Sequence, residues 1–173
     1  MRTLHRITLA CLILAACAPS PEPGPPARRT SLLAQCSSRE GPAGTDSAVA
    51  NNAGEATLQV RGAAGQHVLH VPAGAAEPGT VFILTAMAPP NVGVEAHVRG
   101  QGTYSFLNGR RATLRIDAEH CTTEEYGKLP SPTILRVGRD GALTPLPSRP
   151  GEGGARSLSA ELPTLSGYAI GSN

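Results

Sequence analysis

Between residues 56 and 170 the chain breaks at short intervals on Gly, Pro, Asn or Asp, and the runs between those breaks tend to alternate apolar with polar side chains. That punctuation constrains the fold more than any other feature. Inside a helix Gly costs about 1 kcal/mol and Pro about 3 kcal/mol relative to Ala, so a bundle of long helices is excluded. Short strands tolerate both at their ends and bury one face by alternation. Ten runs fit that description: residues 56–61, 66–71, 80–87, 92–98, 103–107, 112–117, 133–137, 143–146, 157–162 and 165–170. Val, Ile, Thr, Phe and Tyr concentrate in them. Asn108-Gly109 and Asp140-Gly141 suit tight hairpins, where positive φ is required. The pattern predicts an all-β chain, an antiparallel β-sandwich of about eight to ten short strands. All five aromatics (Phe82, Tyr104, Phe106, Tyr126 and Tyr168) fall in this region and mark its core. No sustained helical period occurs there.

Ahead of the sandwich the chain has a different character. Arg2, His5 and Arg6 precede an uncharged stretch over residues 7–16. As a helix that stretch spans about 15 Å, half of a ~30 Å hydrocarbon core. It is too short to cross a membrane and reads as a secretory signal peptide. Leu14-Ala15-Ala16-Cys17 resembles the lipobox of bacterial lipoproteins. The resemblance implies cleavage before Cys17 and acylation of that cysteine, where two or three chains anchor stably and one does not. The rival reading is ordinary cleavage after an Ala-x-Ala-like site. Ala18, next to the cysteine, points to the outer rather than the inner membrane by enterobacterial sorting rules. The expectation is a lipid-anchored protein of the cell envelope.

Cleavage there changes the charge arithmetic. The formal net charge of +2 belongs to Arg2 and Arg6, so the mature chain balances thirteen basic against thirteen acidic residues. Nothing in that balance suits nucleic acid. The run Pro-Ser-Pro-Glu-Pro-Gly-Pro-Pro within residues 18–29 favours extended polyproline structure, a semi-rigid spacer. The organisation expected is a signal peptide at 1–16, a lipidated cysteine and tether at 17–53, and one sandwich domain at 54–173. Of four cysteines, Cys11 leaves with the signal and Cys17 takes the lipid. Cys36 and Cys121 remain, and in an oxidising envelope they are expected to form a disulfide. Such a bridge contributes roughly 4 kcal/mol in the chain-entropy model.

Several motifs along the sandwich are similar to those of a known domain. Val68-Leu69-His70-Val71-Pro72-Ala73-Gly74-Ala75, followed by Pro78-Gly79-Thr80-Val81-Phe82-Ile83, resembles the opening signature of the ZU-five domain. That β-sandwich occurs in ankyrins, netrin receptors, tight-junction scaffolds and bacterial envelope proteins. Tyr104-Ser105-Phe106, the Asn108-Gly109 turn and Ala112-Thr113-Leu114-Arg115-Ile116 resemble its central hairpin. Asp140-Gly141 before Thr144-Pro145-Leu146-Pro147-Ser148, and then Ser166-Gly167-Tyr168-Ala169-Ile170, resemble its last strands. The resemblance covers about residues 56–171 and implies a docking module. Some members cleave themselves at a His-Phe-Ser tripeptide before the closing strand. The corresponding residues here are Thr164-Leu165-Ser166, which keep the serine and lack the histidine that would act as its base.

The remaining chemistry-bearing residues form no persuasive constellation. His67 and His70, three apart on a strand, point to opposite faces and cannot easily share a metal ion. Together with His97 and His120 they are expected to be scattered and solvent-facing. His120-Cys121 as a base and nucleophile fails on the same geometry. Asp117, Glu119, Glu124 and Glu125 read as a solvated acidic loop, without the ligand spacing of a calcium site. Arg99, Arg110, Arg111 and Arg115 form the densest positive group and a candidate binding patch. No phosphate-cradling loop, dinucleotide fingerprint or serine elbow is present. Neither a cofactor nor a metal is expected. The sequence therefore favours a noncatalytic envelope module whose partner is another envelope protein or a cell-wall polymer. Self-cleavage at Leu165–Ser166 and carbohydrate or peptidoglycan binding are the alternatives, the latter weakened by the absence of Trp.

Overall fold

Strict alternation is visible in the first long strand, where Ala56, Leu58 and Val60 are buried while Thr57, Gln59 and Arg61 are exposed. The protein is described by a computed structural model covering residues 31–32 and 43–172. Its elements in chain order are β1 (Ser31–Leu32), β2 (Thr45–Val49), β3 (Ala56–Gly62), β4 (Gly65–Val71), β5 (Val81–Ala86) and β6 (Gly93–Val98). There follow β7 (Ala112–Asp117), α1 (Thr123–Gly127), β8 (Pro132–Val137), β9 (Leu143–Leu146), β10 (Ser148–Pro150), β11 (Ser157–Leu162) and β12 (Gly167–Ser172). They form two antiparallel sheets. One runs β2-β5-β6-β12-β8-β9, with β1 also paired to β12; the other runs β10-β11-β7-β4-β3. The chain is an all-β sandwich.

Between the sheets lie Leu58, Leu69, Phe82, Leu84, Leu114, Ile116, Ile134, Leu162, Tyr168 and Ile170, each with essentially no solvent exposure. One side of the sandwich is turned by a single bent strand. Only Pro147 separates β9 in one sheet from β10 in the other. A proline offers no amide to a ladder, so the strand can leave its first sheet there. Ser148 pins the corner, its Oγ accepting from the Ile134 amide at 2.9 Å and lying 3.0 Å from Thr133 Oγ1.

Three expectations need correction. The folded unit begins before residue 54, since β2 pairs along its whole length with β5. Residues 103–107 form no strand; Ser105 makes an isolated bridge to Thr164. Tyr104 instead stacks edge-to-face on Phe82 and on Phe106, with both ring centroids 5.5 Å away. Asn108-Gly109 is a turn with positive φ at both residues and a bond from the Arg110 amide to the Leu107 carbonyl, but it closes no hairpin. At Asp140-Gly141 the β8–β9 hairpin does form, with a looser loop. Only Gly141 has positive φ (79°), and the Asp140 carboxylate accepts from the Ala142 amide.

The acidic group near residue 120 is likewise more ordered than a solvated loop. Thr122 and Glu125 cap α1 reciprocally, each side chain accepting from the other's amide. Glu119 accepts from the Arg156 amide at 3.1 Å, and Asp117 is buried. Cys121 is buried too and is disulfide-bonded, so it offers no free thiol to His120. Its expected partner Cys36 lies outside the described residues, as do the signal segment, Cys17 and the proline-rich run. Non-reducing peptide mapping of the mature protein should join Cys121 to Cys36 and show one unbroken chain across Leu165–Ser166. A different cysteine partner would remove the staple, and a cut at that bond would revive self-processing.

Candidate functional site

A groove arises where a ladder stops short. Strands β6 and β12 pair from Gly93–Ala169 to Glu95–Gly167, and the Ala96 amide still reaches the Ser166 carbonyl at 2.9 Å. The next step in that register would join Val98 to Thr164, and it is not made. Thr164 has turned away: its carbonyl accepts from the Tyr168 hydroxyl at 2.5 Å, and it bridges to Ser105. Tyr168 can hold that position because its ring is anchored in the core. Burial pushes its phenol above the usual range, while the bond to Thr164 and the charge of Arg136 pull it down. The Val98 amide is thereby directed into the opening.

The resulting groove has a volume of about 550 Å³. Gly167 forms its floor. It sits in a cross-strand row between Glu95 and Val137, and a methyl group there would come within 3.3 Å of Met87 and 3.4 Å of Val137. One wall carries Glu95 and His97. Arg136 and Arg139 line it from the β8 side, and Arg136 shares the cross-strand row of Val94 and Tyr168, on the other face of the sheet from Glu95. Arg139 Nη2 donates to the Gly102 carbonyl at 2.6 Å, which ties the β8–β9 turn to the loop after β6. Arg136 is half-buried, and its guanidinium makes no hydrogen bond or ion pair with any described residue. Ser166 also lines this groove, but its hydroxyl donates to the Val137 carbonyl at 3.1 Å. That bond directs its proton to an acceptor that cannot act as a general base.

No known protein family, curated protein or solved structure matches this chain. The site must therefore be read from its own geometry.

The four arginines singled out in the sequence do not converge. Arg99 follows β6, whereas Arg111 and Arg115 belong to the β7 side of the other sheet. Arg111 pairs with Glu161 at 3.7 Å, Arg115 pairs with Asp117 at 3.3 Å, and Arg110 lies over Gly74. Arg115 is thus only partly exposed. The arginines that do line the groove, Arg136 and Arg139, flank a turn and read in the sequence as ordinary solvated ends of a strand. His97 and Ser166 were noticed separately, and only the tertiary fold brings them together.

A second cluster is buried. Arg115, Asp117 and Ser157 each carry a polar atom withdrawn from solvent and lacking an aligned hydrogen bond. Residues 151–154 cover them so closely that a methyl group on Gly153 would lie 2.6 Å from Asp117 Oδ1. Nearby, His67 is buried and not solvent-facing as expected. Its Nδ1 accepts from the Asp117 amide at 3.2 Å, which leaves the ring proton on Nε2. Burial lowers its pKa to about 4, with the Asp117 charge raising it and Arg115 lowering it. His67 is a neutral acceptor for a strand-end amide. No group of three metal-ligating side chains occurs among the described residues.

Proposed function

We propose that this chain is a lipid-anchored protein of the cell envelope that presents a noncatalytic, ZU-five-like β-sandwich to a partner. The observation carrying this reading is the polarity of β12. Its last residue, Ser172, pairs with Ser31, the first residue of β1. Its first residue, Gly167, is the groove floor. Five strand steps of ~3.3 Å separate the two ends by about 17 Å. A chain entering at Ser31 from a membrane-tethered proline-rich segment would thus hold the groove at the far end of the domain. An interaction module displayed outward from a bilayer needs this arrangement. The lipobox-like Leu14-Ala15-Ala16-Cys17 supplies the anchor, and Ala18 favours the outer membrane.

Replacing the acyl acceptor tests the anchor. Cys17→Ser should move the protein from the membrane fraction to the soluble envelope fraction and abolish incorporation of a labelled fatty acid. Retention of the variant in washed membranes would overturn the anchored reading.

A further inference from the structure

We propose that the groove between β6 and β12 receives the free C-terminal carboxylate of an extended peptide, with Arg136 as its anion anchor. The inference deepens the interaction-module reading and does not depend on the lipid.

Three observations carry it. Arg136 is a half-buried guanidinium in a concave site with no carboxylate partner among the described residues. Such a group gains most from a planar anion that can take two parallel N–H bonds, the geometry of a carboxylate. Glu95, although it lines the same groove, forms no ion pair with Arg136.

The second observation is the interrupted ladder. An extended segment lying in the opening would meet the Val98 amide, where the strand register has a step to spare. Main-chain pairing at an open strand edge is a recurrent mode of peptide capture, as is capture of a terminal carboxylate. Gln101, Thr103 and Thr164 line the same space and provide further polar contacts.

Charge and size select among anions. Glu95 lines the same groove from the other face of the sheet and adds a negative charge that a long polyanion would meet, whereas a single terminal charge can seat against Arg136 alone. The volume of about 550 Å³ falls in the ~300–1,000 Å³ range of sites for small ligands. It suits a chain end and not a folded surface.

The test uses the detergent-solubilised full-length protein and two matched libraries of randomised tetrapeptides, one with free C-termini and one amidated. Free-acid peptides should be enriched, and the best of them should bind at least about tenfold more tightly than its own amide. Arg136→Gln should abolish that preference. Gly167→Ala should weaken the free acid severalfold by raising the floor, at little cost to folding because the methyl meets the flexible end of Met87. Arg149→Gln, in the smaller groove beside β10 and β11, should change nothing. No enrichment of free acids, equal binding of acid and amide, or unchanged binding by Arg136→Gln would each overturn the proposal. Should Arg136→Gln not fold, unchanged binding by Gly167→Ala overturns it. Loss of peptide binding alongside release of Cys17→Ser condemns the groove alone. Peptide binding with membrane retention of Cys17→Ser condemns the anchor alone.

Discussion

Gly93→Ala is expected to destabilise the protein by about 3 kcal/mol or more, lowering the melting temperature by roughly 10 °C or more. Gly93 opens β6 and is the direct cross-strand partner of Ala169 in β12. A methyl group on it would lie 2.2 Å from the Tyr168 carbonyl oxygen and 2.8 Å from the Ala169 Cα. Both are backbone atoms in the middle of a sheet, and neither can swing aside as a long side chain would. Relief requires β6 and β12 to separate. That would loosen the bonds from the Ala96 amide to the Ser166 carbonyl and from the Ile170 amide to the Val92 carbonyl, each 2.9 Å. It would also shift Tyr168, which holds the Thr164 carbonyl away from β6. Gly109→Ala provides the contrast. Gly109 has positive φ (65°) but open space around it, so only backbone strain of about 1 kcal/mol is at stake. Thermal melts of both variants should rank Gly93→Ala far below Gly109→Ala. Equal melting temperatures would show that the β6–β12 contact is not as tight as described.

The fold was legible wherever a strand buries one face. Strands β3 and β7 alternate because their inward residues supply the core, and that alternation is written in residue type. Strand β2 was invisible for the opposite reason. Its sequence Thr-Asp-Ser-Ala-Val buries nothing fully, and Val49 is 61% exposed. It is held by backbone pairing to β5 and by Asp46, whose carboxylate accepts from the Gln59 amide at 2.8 Å. Neither leaves a hydrophobic signature. Residues 103–107 misled in the other direction, because Tyr104 and Phe106 are aromatic for the sake of stacking at a core edge, not for pairing. Helix α1 carried a readable signal in Thr122 and Glu125, a capping box three residues apart.

The groove was barely legible. It depends on a ladder that stops, on a glycine between two occupied positions of a cross-strand row, and on a tyrosine hydroxyl that holds a carbonyl aside. None of these is a motif. His67 is different: the alternation that buries Leu69 and Val71 in β4 also points His67 inward. Its burial follows from spacing alone, by the same period that marks the strand.

That placement makes the protein acid-sensitive in a defined window. In the unfolded chain His67 takes up a proton near pH 6.5, whereas in the folded protein burial holds its pKa down to about 4. Between those values the unfolded state binds the proton and the folded state refuses it, so stability falls as pH falls. The contribution is fully present above pH 6.5. By pH 5 about 2 kcal/mol is lost, and near pH 4 about 3 kcal/mol. Protonation would also turn Nδ1 from acceptor to donor and leave the Asp117 amide without its partner, which is why burial and geometry act in the same direction. Urea melts across this range measure the effect. His67→Gln keeps a side-chain acceptor and removes the titration. It should be less stable than the parent at pH 7.5, yet lose markedly less stability on acidification, so that the two curves converge towards pH 4. Carboxylates elsewhere act on both proteins equally and cancel in the difference. Parallel curves for parent and variant would mean that the His67 imidazole already accepts a proton in the folded state, and that Asp117 and Arg115 do not enclose it as the structure has them.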